Sequence, residues 1–494
     1  MSSLPQPVVG PTATPPVDPA TVLAQISEQL RRVQREPGRR LVDMIDMIEA
    51  ADWRGAELVG ELQVQFLALA ATNEADAQVR IWEAVLAYLA QLASAYMLLV
   101  RLFQTYSRGW AEVGDRLPLL IARALRVTAL RMKWMRMRYQ PVDRKIWKTL
   151  SQLWSYVEDK QLARARVLVY DDRSTIQREF TKPLMFAMSA IDTLPSVEID
   201  VAYRLISHLA GRFEVQRFPA RGCQFSLDID QWTVPARFNP GDAIQLGSRF
   251  FGPGEAEADI ETISAQLAAD EISTRDVNLE GVADVAMVID VLEHLQRHWT
   301  PIRPERREPR RQKGSKISIV LGHAPVLQRI TGDDVSASLD GEEVESWILV
   351  NESEAGYGAL VAAQRGEALQ IGQLVGARAK GSRMWGIGVI RRLATQDSEQ
   401  RYVGIELLGR GVQGVSLNDR ISAKPICTGL LLPSHIGDSL GLGELNLLLP
   451  RGTFSPDSEI GMIFYDMNYV LTPLMVLETG EDFEIGRYRI RERN

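Results

Sequence analysis

Residues 303–313 read Arg303-Pro-Glu-Arg-Arg-Glu-Pro-Arg-Arg-Gln-Lys313, and residues 347–358 read Trp347-Ile-Leu-Val-Asn-Glu-Ser-Glu-Ala-Gly-Tyr-Gly358. The first stretch contains the spacing Arg-x-x-x-Arg in three overlapping frames: Arg303/Arg307, Arg306/Arg310 and Arg307/Arg311. The second stretch contains Asn-x-Ser-x-x-Gly at Asn351, Ser353 and Gly356. The pattern that surrounds these two stretches indicates the fold of the C-terminal half.

Short apolar runs with β character surround the second stretch. They occur at residues 317–321, 347–350, 372–378, 385–392, 402–408 and 412–417. Six short strands at such close spacing predict a small antiparallel barrel or sandwich, which leaves no long strand edge exposed. Further runs at 445–449, 460–464, 469–471 and 488–490 predict either a second β module or an extension of the barrel.

An arginine pair ahead of Asn-x-Ser-x-x-Gly and a run of short strands resembles the PilZ domain, the bacterial receptor module for cyclic di-GMP. Residues 388–392 and 403–407 are similar to the strand pair that closes such a barrel. The resemblance covers residues 301–424 and implies that cyclic di-GMP is the ligand. It also implies a set of ligand-binding residues, which we identify as Arg306, Arg307, Arg310, Arg311, Asn351, Ser353 and Gly356. Of the three arginine frames we favour Arg306/Arg310, followed by Arg307/Arg311.

The chemistry of these residues suits that ligand. Cyclic di-GMP carries two phosphates, and the planar guanidinium of arginine can bind a phosphate through two parallel hydrogen bonds. A guanidinium can also stack on guanine or bond its O6 and N7 edge. Glycine at position 356 would allow a close backbone approach. Residues 303–316 hold seven Lys or Arg against two Glu, a local charge of +5 in a chain of net charge −7.

The rest of the chain predicts a multidomain α+β protein. Residues 1–19 are rich in proline and small polar residues, and we expect a disordered leader. Residues 20–212 have helical composition and spacing throughout, which predicts an all-α helical bundle. Residues 213–300 mix strand and helix patterns and form a connecting region. The predicted PilZ-like barrel occupies 301–424, and the further β module occupies 425–494.

Two segments of the helical domain allow a membrane interpretation. Residues 84–100 are apolar but interrupted by polar residues, and we expect a buried helix because a bilayer span needs about 20 predominantly apolar residues. Residues 123–138 are basic and amphipathic, so they could bind an anionic membrane or an acidic partner. We favour a helix that packs its apolar side inward and solvates its arginines.

Composition narrows the functional class. Cys223 and Cys427 lie far apart with no metal-binding pattern, which fits a reducing cytoplasm. No secretory signal and no transmembrane segment is predicted. The chain contains no Walker loop and no nucleophile motif accompanied by the partner residues that catalysis needs, so we expect no catalysis. We also expect no metal and no cofactor. The net charge of −7 over the whole chain argues against a nucleic-acid partner.

Two functions remain open. In the first, the protein is a cytoplasmic cyclic di-GMP receptor, whose barrel binds the nucleotide and whose helical domain relays the signal to a protein partner. In the second, it is a scaffold with a degenerate PilZ barrel that binds no nucleotide and acts through protein–protein contacts. The intact arginines and the Asn-x-Ser-x-x-Gly motif favour the first.

One departure from the family concerns the long segment between the arginines and Asn351. Residues 323–345 contain six carboxylates, and we expect an acidic hairpin that contacts the basic run until the ligand displaces it. The six are Asp333, Asp334, Asp340, Glu342, Glu343 and Glu345.

We predict that replacing Asp333, Asp334, Glu342 and Glu343 with Asn or Gln tightens cyclic di-GMP binding. The gain should be modest, because exposed ion pairs contribute about 0.2–1 kcal/mol each and salt screens them. Calorimetric titration at low salt checks this, and the affinities of variant and wild type should converge as salt rises. Equal or weaker binding by the variant at low salt would contradict the prediction.

Overall fold

The computed structural model describes residues 18–36, 38–70, 74–105, 113–301, 311–332, 344–382, 384–420, 422–433, 443–465 and 467–492. The described chain forms a helical part, a mixed layer built onto it, and two β-barrels. This architecture confirms the expected fold class of an α-helical N-terminal part, a small antiparallel barrel and a further β extension. The predicted leader, residues 1–19, lies outside the described residues up to position 17.

In the part of the chain that the structure describes, the helical part contains seven α-helices, two 3-10 turns and one small hairpin. The helices are α1 (Pro19–Arg35), α2 (Leu41–Ala70), α3 (Ala75–Thr105), α4 (Leu117–Arg136), α5 (Arg144–Asp159), α6 (Ile176–Ala187) and α7 (Ser196–Leu209). The hairpin consists of β1 (Arg166–Val169) and β2 (Asp172–Thr175). The first helix begins at Pro19, and the side chain of Asp18 caps it by accepting from the backbone N–H of Thr21 at 3.3 Å.

Helix α3 is the single helix, among the described residues, that is long and apolar enough to cross a membrane by length and composition. Half of its most apolar window is buried inside the protein. It packs against α1, α2 and α4. These contacts are those of a core helix, as expected for residues 84–100.

The basic helix α4 departs from the expectation that its cations are solvated. Arg123 and Lys133 are only 4% and 3% exposed. Lys133 donates to the carboxylate of Asp200 and to Gln63, while burial lowers the pKa of the lysine. The helix therefore lies in the middle of the domain, because buried carboxylates on the surrounding helices compensate its charges.

A second buried cluster joins α4 to α6. Arg126 donates two hydrogen bonds to Glu179, at 2.8 and 2.7 Å, and Lys182 donates a third at 2.9 Å. Burial by itself would raise the pKa of Glu179. The bonds from Arg126 and the charge of Lys182 outweigh burial and lower that pKa to about 2.

Residues 213–300 form a layer against the helices rather than a separate linker. A four-stranded sheet has the order β3-β6-β4-β5, with β3 (Glu214–Gln216), β4 (Phe225–Asp228), β5 (Ala236–Arg237) and β6 (Ser248–Gly252). Helices α8 (Ala256–Ala268) and α9 (Val285–Trp299) follow. The indole of Trp299 is fully buried and donates to Ser189 at 3.0 Å, which fixes α9 on the helical part.

The first barrel is closed by six antiparallel strands in the order β10-β11-β12-β9-β8-β7. These are β7 (Arg311–Leu321), β8 (Glu345–Ser353), β9 (Gly356–Ala362), β10 (Leu374–Ala379), β11 (Gly386–Thr395) and β12 (Gln400–Arg410). A short helix, α10 (His323–Thr331), follows β7, and one helical turn, α11 (Ala363–Gly366), follows β9. Alternate residues such as Trp347, Ala359 and Val403 fill the interior.

Two expectations about this barrel were wrong. Strand β9 was not predicted, since the glycines at its start weaken the β pattern. The acidic segment 323–345 does not begin as a hairpin, because residues 323–331 form α10, whose first N–H donates to Asp482 at 2.6 Å. Asp333, Asp334, Asp340, Glu342 and Glu343 lie outside the described residues, so their contacts stay a prediction.

The last part of the chain closes into a second six-stranded barrel. Its order is β13-β14-β15-β18-β17-β16, with β13 (Gln413–Asp419), β14 (Pro425–Leu431), β15 (Glu444–Pro450), β16 (Ile460–Phe464), β17 (Met467–Thr479) and β18 (Phe483–Glu492). Strand β13 pairs with β14 and β16 of this barrel. Residues 412–417 are therefore not the last strand of the first barrel. The boundary expected at 424 lies between Arg410 and Gln413.

The β11–β12 hairpin of the first barrel makes three hydrogen-bonded contacts with the helical part, and we call these three the helix–barrel junction. The N–H of Thr395 donates to the carbonyl of Tyr139 at 2.9 Å. Arg401 is buried, and its Nη2 donates to the carbonyl of Arg138 at 3.5 Å. Arg392 donates from Nε to Asp192 at 2.6 Å. The β11–β12 hairpin thus rests on the segment that follows α4 and on the turn between α6 and α7.

We predict that Glu179→Gln lowers the free energy of unfolding by about 3 kcal/mol at pH 7, because it removes the buried carboxylate of two buried cations and leaves them with the more exposed Asp172. The folded-state pKa of Glu179 is depressed, so its contribution is present above about pH 4.5 and is lost as pH falls towards about 2. Urea unfolding at several pH values should show the two proteins converging as pH falls.

Glu28→Gln is the matched control, because Glu28 also pairs with an arginine, Arg31, but at the surface. It should leave the unfolding midpoint nearly unchanged. If Glu179→Gln shifts the unfolding midpoint as little as the control does, the prediction is contradicted.

Candidate functional site

The turn between β8 and β9 brings the Asn-x-Ser-x-x-Gly residues together. Ser353 pairs with Gly356 across the turn, and Asn351 pairs with Gly358. The N–H of Leu407 on β12 donates to the carbonyl of Ala355 at 2.9 Å and holds the turn against the barrel. The three motif residues therefore lie at one end of two neighbouring strands.

Glycine is required at position 356 by the approach of β12. A Cβ built on Gly356 would overlap the backbone carbonyl oxygen of Ile405, and backbone cannot move aside cheaply. The sequence motif identified this glycine. It gave a ligand-based reason for it, whereas the contact is with the barrel itself.

A second glycine, Gly358, was not singled out from the sequence. A Cβ there would lie 2.8 and 2.9 Å from Oδ1 and Nδ2 of Asn351, and it would overlap the hydroxyl of Tyr402. The side chains of Asn351 and Tyr402 therefore lean over Gly358. The repeated Gly-x-Gly at 356–358 was the available signal in the sequence.

One row of paired residues crosses five strands of the barrel. Gln312 pairs with Asn351, Asn351 with Gly358, Gly358 with Gly404, and Gly404 with Arg392. Directly paired residues point to the same side of a sheet, and their sequence neighbours point to the other. Tyr357, Ala359 and Val403 fill the interior, so this row, which we call the glycine row, lies on the outer face.

Asn351 is the most constrained polar group of the glycine row. It is 8% exposed, and its Oδ1 is buried with no hydrogen-bond partner within the described part of the chain. A buried acceptor without a donor costs about 1–3 kcal/mol. A ligand that brings an N–H donor to this oxygen would recover that cost.

Arg311, the single described member of the predicted arginine set, starts β7 and is exposed. It pairs with Glu352, so strand alternation directs it to the face opposite Asn351. Arg306, Arg307 and Arg310 lie outside the described residues, and their part in the site stays a prediction.

A different arginine, Arg392, closes the glycine row at its far end. A Cβ on Gly404 would lie 3.0 Å from the Cβ of Arg392, which shows that the side chain starts above the glycines. Its guanidinium is half exposed and bonds Asp192. Sequence analysis missed Arg392 as a site residue, because only the pairing of β11 with β12 brings it to this face.

The glycine row has a definite chemical character. The side chains of Asn351 and Tyr402 lie over Gly358, and that of Arg392 starts over Gly404, so the two glycines allow an amide and a guanidinium to lie close to the outer face of the barrel. Ser353 lies on a neighbouring row. Such a face suits a planar ligand that presents N–H donors to Asn351 and negative charge to an arginine. Within the described ranges, no group of three His, Cys, Asp or Glu side chains could hold a metal ion.

Comparison with known families agrees with this division of the chain. The N-terminal domain of the cyclic-di-GMP receptor FimW matches residues 12–220, and the middle PilZ domain of the same receptor matches residues 333–413. The first match spans α1 to α7. The second spans β8 to β12 with the Asn-x-Ser-x-x-Gly motif, and it ends at the first residue of β13. No curated protein matches the chain.

We predict that Gly356→Ala destabilises the first barrel by about 1–3 kcal/mol, because the added methyl group meets backbone. Gly358→Ala should cost less, because its methyl group meets the ends of two side chains that can rotate away. Denaturant unfolding of each variant beside the wild type measures both changes. A larger loss for Gly358→Ala than for Gly356→Ala would contradict the assignment of the glycine row.

Proposed function

Because the chain belongs to the PilZ-domain family of cyclic di-GMP receptors that carry a large N-terminal helical domain, we propose that it is a cyclic di-GMP effector that binds the nucleotide on the glycine row of its first barrel. It then relays the signal through the helical domain to a protein partner. The protein acts by binding, without catalysis, in the cytoplasm.

The observation that carries the proposal is the Oδ1 of Asn351, which has no hydrogen-bond partner within the described residues and lies against Gly358. Guanine is planar and presents N–H donors on its Watson–Crick edge. With that edge against the Asn351 amide, it can direct a donor at Oδ1, and the hydroxyl of Ser353 lies one row away. The contact gives a hydrogen bond to a group that lacks one, which favours the bound state.

The phosphates need cations that the glycine row does not supply by itself. We propose that Arg306 and Arg310 bind them from the basic run that precedes β7, with Arg307 and Arg311 as the alternative frame. The local charge of +5 between residues 303 and 316 supports this, since the ligand is a dianion and the whole chain is acidic.

The helix–barrel junction supports a relay to the helical domain. The β11–β12 hairpin carries Gly404 and Arg392 of the glycine row, and the same hairpin contacts Tyr139, Arg138 and Asp192. A ligand shifts an equilibrium only when it binds one arrangement better than the other. The β11–β12 hairpin belongs to both the glycine row and the helix–barrel junction. A ligand that binds one position of this hairpin better therefore also favours one arrangement of the junction.

We predict that wild-type protein binds cyclic di-GMP in calorimetric titration, and that Arg306→Ala and Arg310→Ala each weaken binding from several-fold to about a hundred-fold. Each charge-assisted hydrogen bond contributes about 1.5–3 kcal/mol. GTP and a short DNA duplex serve as ligand controls.

Arg420→Ala is the matched protein control, because Arg420 lies in the second barrel and pairs with Glu459. It should bind cyclic di-GMP as the wild type does. Unchanged affinity in the Arg306→Ala/Arg310→Ala double variant would refute the role of the basic run. No binding by the wild type would favour a scaffold with a degenerate barrel.

A further inference from the structure

We propose that Arg392 has two alternative partners, the bound nucleotide and Asp192, so that cyclic di-GMP competes with the helical domain for one guanidinium. This inference rests on the proposed function and names how its site is regulated. Arg392 is outside the arginine motif, and it joins the ligand face to the helical domain within one side chain.

A β-bulge determines the direction of Arg392. The pairing of β11 with β12 shifts register between Ile390 and Arg392, so Arg391 is the extra residue. Arg391 turns to the second barrel, where it binds Glu478 through two bonds of 2.7 Å and also binds Glu406. Arg392 turns instead to the outer face, above Gly404. The bulge therefore separates a structural arginine from one that faces the glycine row.

Most N–H donors of the Arg392 guanidinium make no hydrogen bond within the described residues. A guanidinium has five N–H groups, and within the described residues that of Arg392 makes one hydrogen bond, from Nε to Asp192 at 2.6 Å. The side chain is 49% exposed, while that of Asp192 is 16% exposed. An exposed pair of this kind is weak. A phosphate or a guanine edge on the glycine row can therefore take the guanidinium at small cost.

Asp192 keeps compensation when Arg392 leaves. It lies in the 3-10 turn Ile191–Thr193, and its charge also acts on Arg136. Burial lowers the pKa of Arg136, Asp192 opposes this, and the nearby charge of Arg392 adds to the lowering. Removing Arg392 thus relieves a repulsion between two arginines, and Asp192 keeps the charge of Arg136 nearby after the exchange.

Ligand binding and the Asp192–Arg392 contact are thermodynamically linked, so each changes the other by the same factor. If Asp192 weakens ligand binding by some factor, then bound ligand weakens the Asp192–Arg392 contact by the same factor. The other two contacts of the helix–barrel junction involve backbone carbonyls of Arg138 and Tyr139 and do not use the outer face. The barrel therefore stays attached while the 3-10 turn is released, which alters the surface that the helical domain offers next to that turn.

The test is a double-mutant cycle on the full chain, with cyclic di-GMP affinity measured by calorimetry. Asp192→Asn should tighten binding about two- to five-fold, as expected for loss of a weak competing ion pair. Arg392→Ala should weaken binding about ten-fold or more. In the Arg392→Ala background, Asp192→Asn should have no effect on affinity.

Asp46→Asn is the matched control, because Asp46 accepts an equally short bond, 2.6 Å, from Arg116 wholly within the helical part. It should leave affinity unchanged. Amide hydrogen exchange gives a second readout. Ligand should speed exchange at Thr193 and Leu194, whose N–H groups close the 3-10 turn, in wild type but not in Arg392→Ala.

The inference is overturned if Asp192→Asn leaves wild-type affinity unchanged, or if it tightens binding equally in the Arg392→Ala background. Weaker binding by Asp192→Asn overturns it too, because the carboxylate would then support the site. In these cases wild type still binds cyclic di-GMP and the proposed function stands. If wild type binds no cyclic di-GMP, both the function and this inference fail.

Discussion

The close approach of β9 to β12 is the constraint on which the ligand face depends. At Gly356 the carbonyl of Ile405 occupies the space of a side chain, and at Gly358 the side chains of Asn351 and Tyr402 do so. Side chains at these positions would separate the strands or lift Asn351 from the barrel. Because both are glycine, the strands pack closely and the amide of Asn351 lies against Gly358 on the outer face, where its Oδ1 has no hydrogen-bond partner within the described residues. Packing of the barrel and chemistry of the site thus have the same cause.

Electrostatics are organised differently in the two halves of the protein. The helical part holds its cations inside, where Arg123, Lys133 and Arg126 meet carboxylates that are themselves buried. Such groups stabilise the native arrangement only while every partner is present, since an isolated buried charge is costly. In the first barrel, Arg401 is buried at the helix–barrel junction, whereas Arg311 and Arg392 are exposed. The exposed arginines keep donors that a proposed dianionic ligand could bind, and the buried ones serve packing.

The second barrel gives the first barrel a fixed neighbour on the side away from the helices. Asp482, from the β17–β18 turn, accepts the N–H of His323 at 2.6 Å and the N–H of Leu374 at 3.1 Å. Arg391 adds a two-bond pair to Glu478. The first barrel is thus held from both sides, and its β11–β12 hairpin contributes to the site and to both contacts. Under the proposed function, a change at the glycine row could reach the helical domain through this hairpin without a large movement of the barrel.

The sequence by itself determined the helical character of residues 20–212, the β character after residue 316, and the local motif at Asn351, Ser353 and Gly356. These features depend on periodicity and on residues close in the chain, which a single sequence displays. Tertiary structure alone decided that residues 413–419 belong to the second barrel, that the cations of α4 are buried, and that Gly358, Gly404 and Arg392 join Asn351 in one row. Strand pairing between β8, β9, β12 and β11 brings together residues as far apart in the chain as Asn351 and Gly404. No local pattern encodes that pairing, because it follows from barrel closure and from the bulge that turns Arg392 outward.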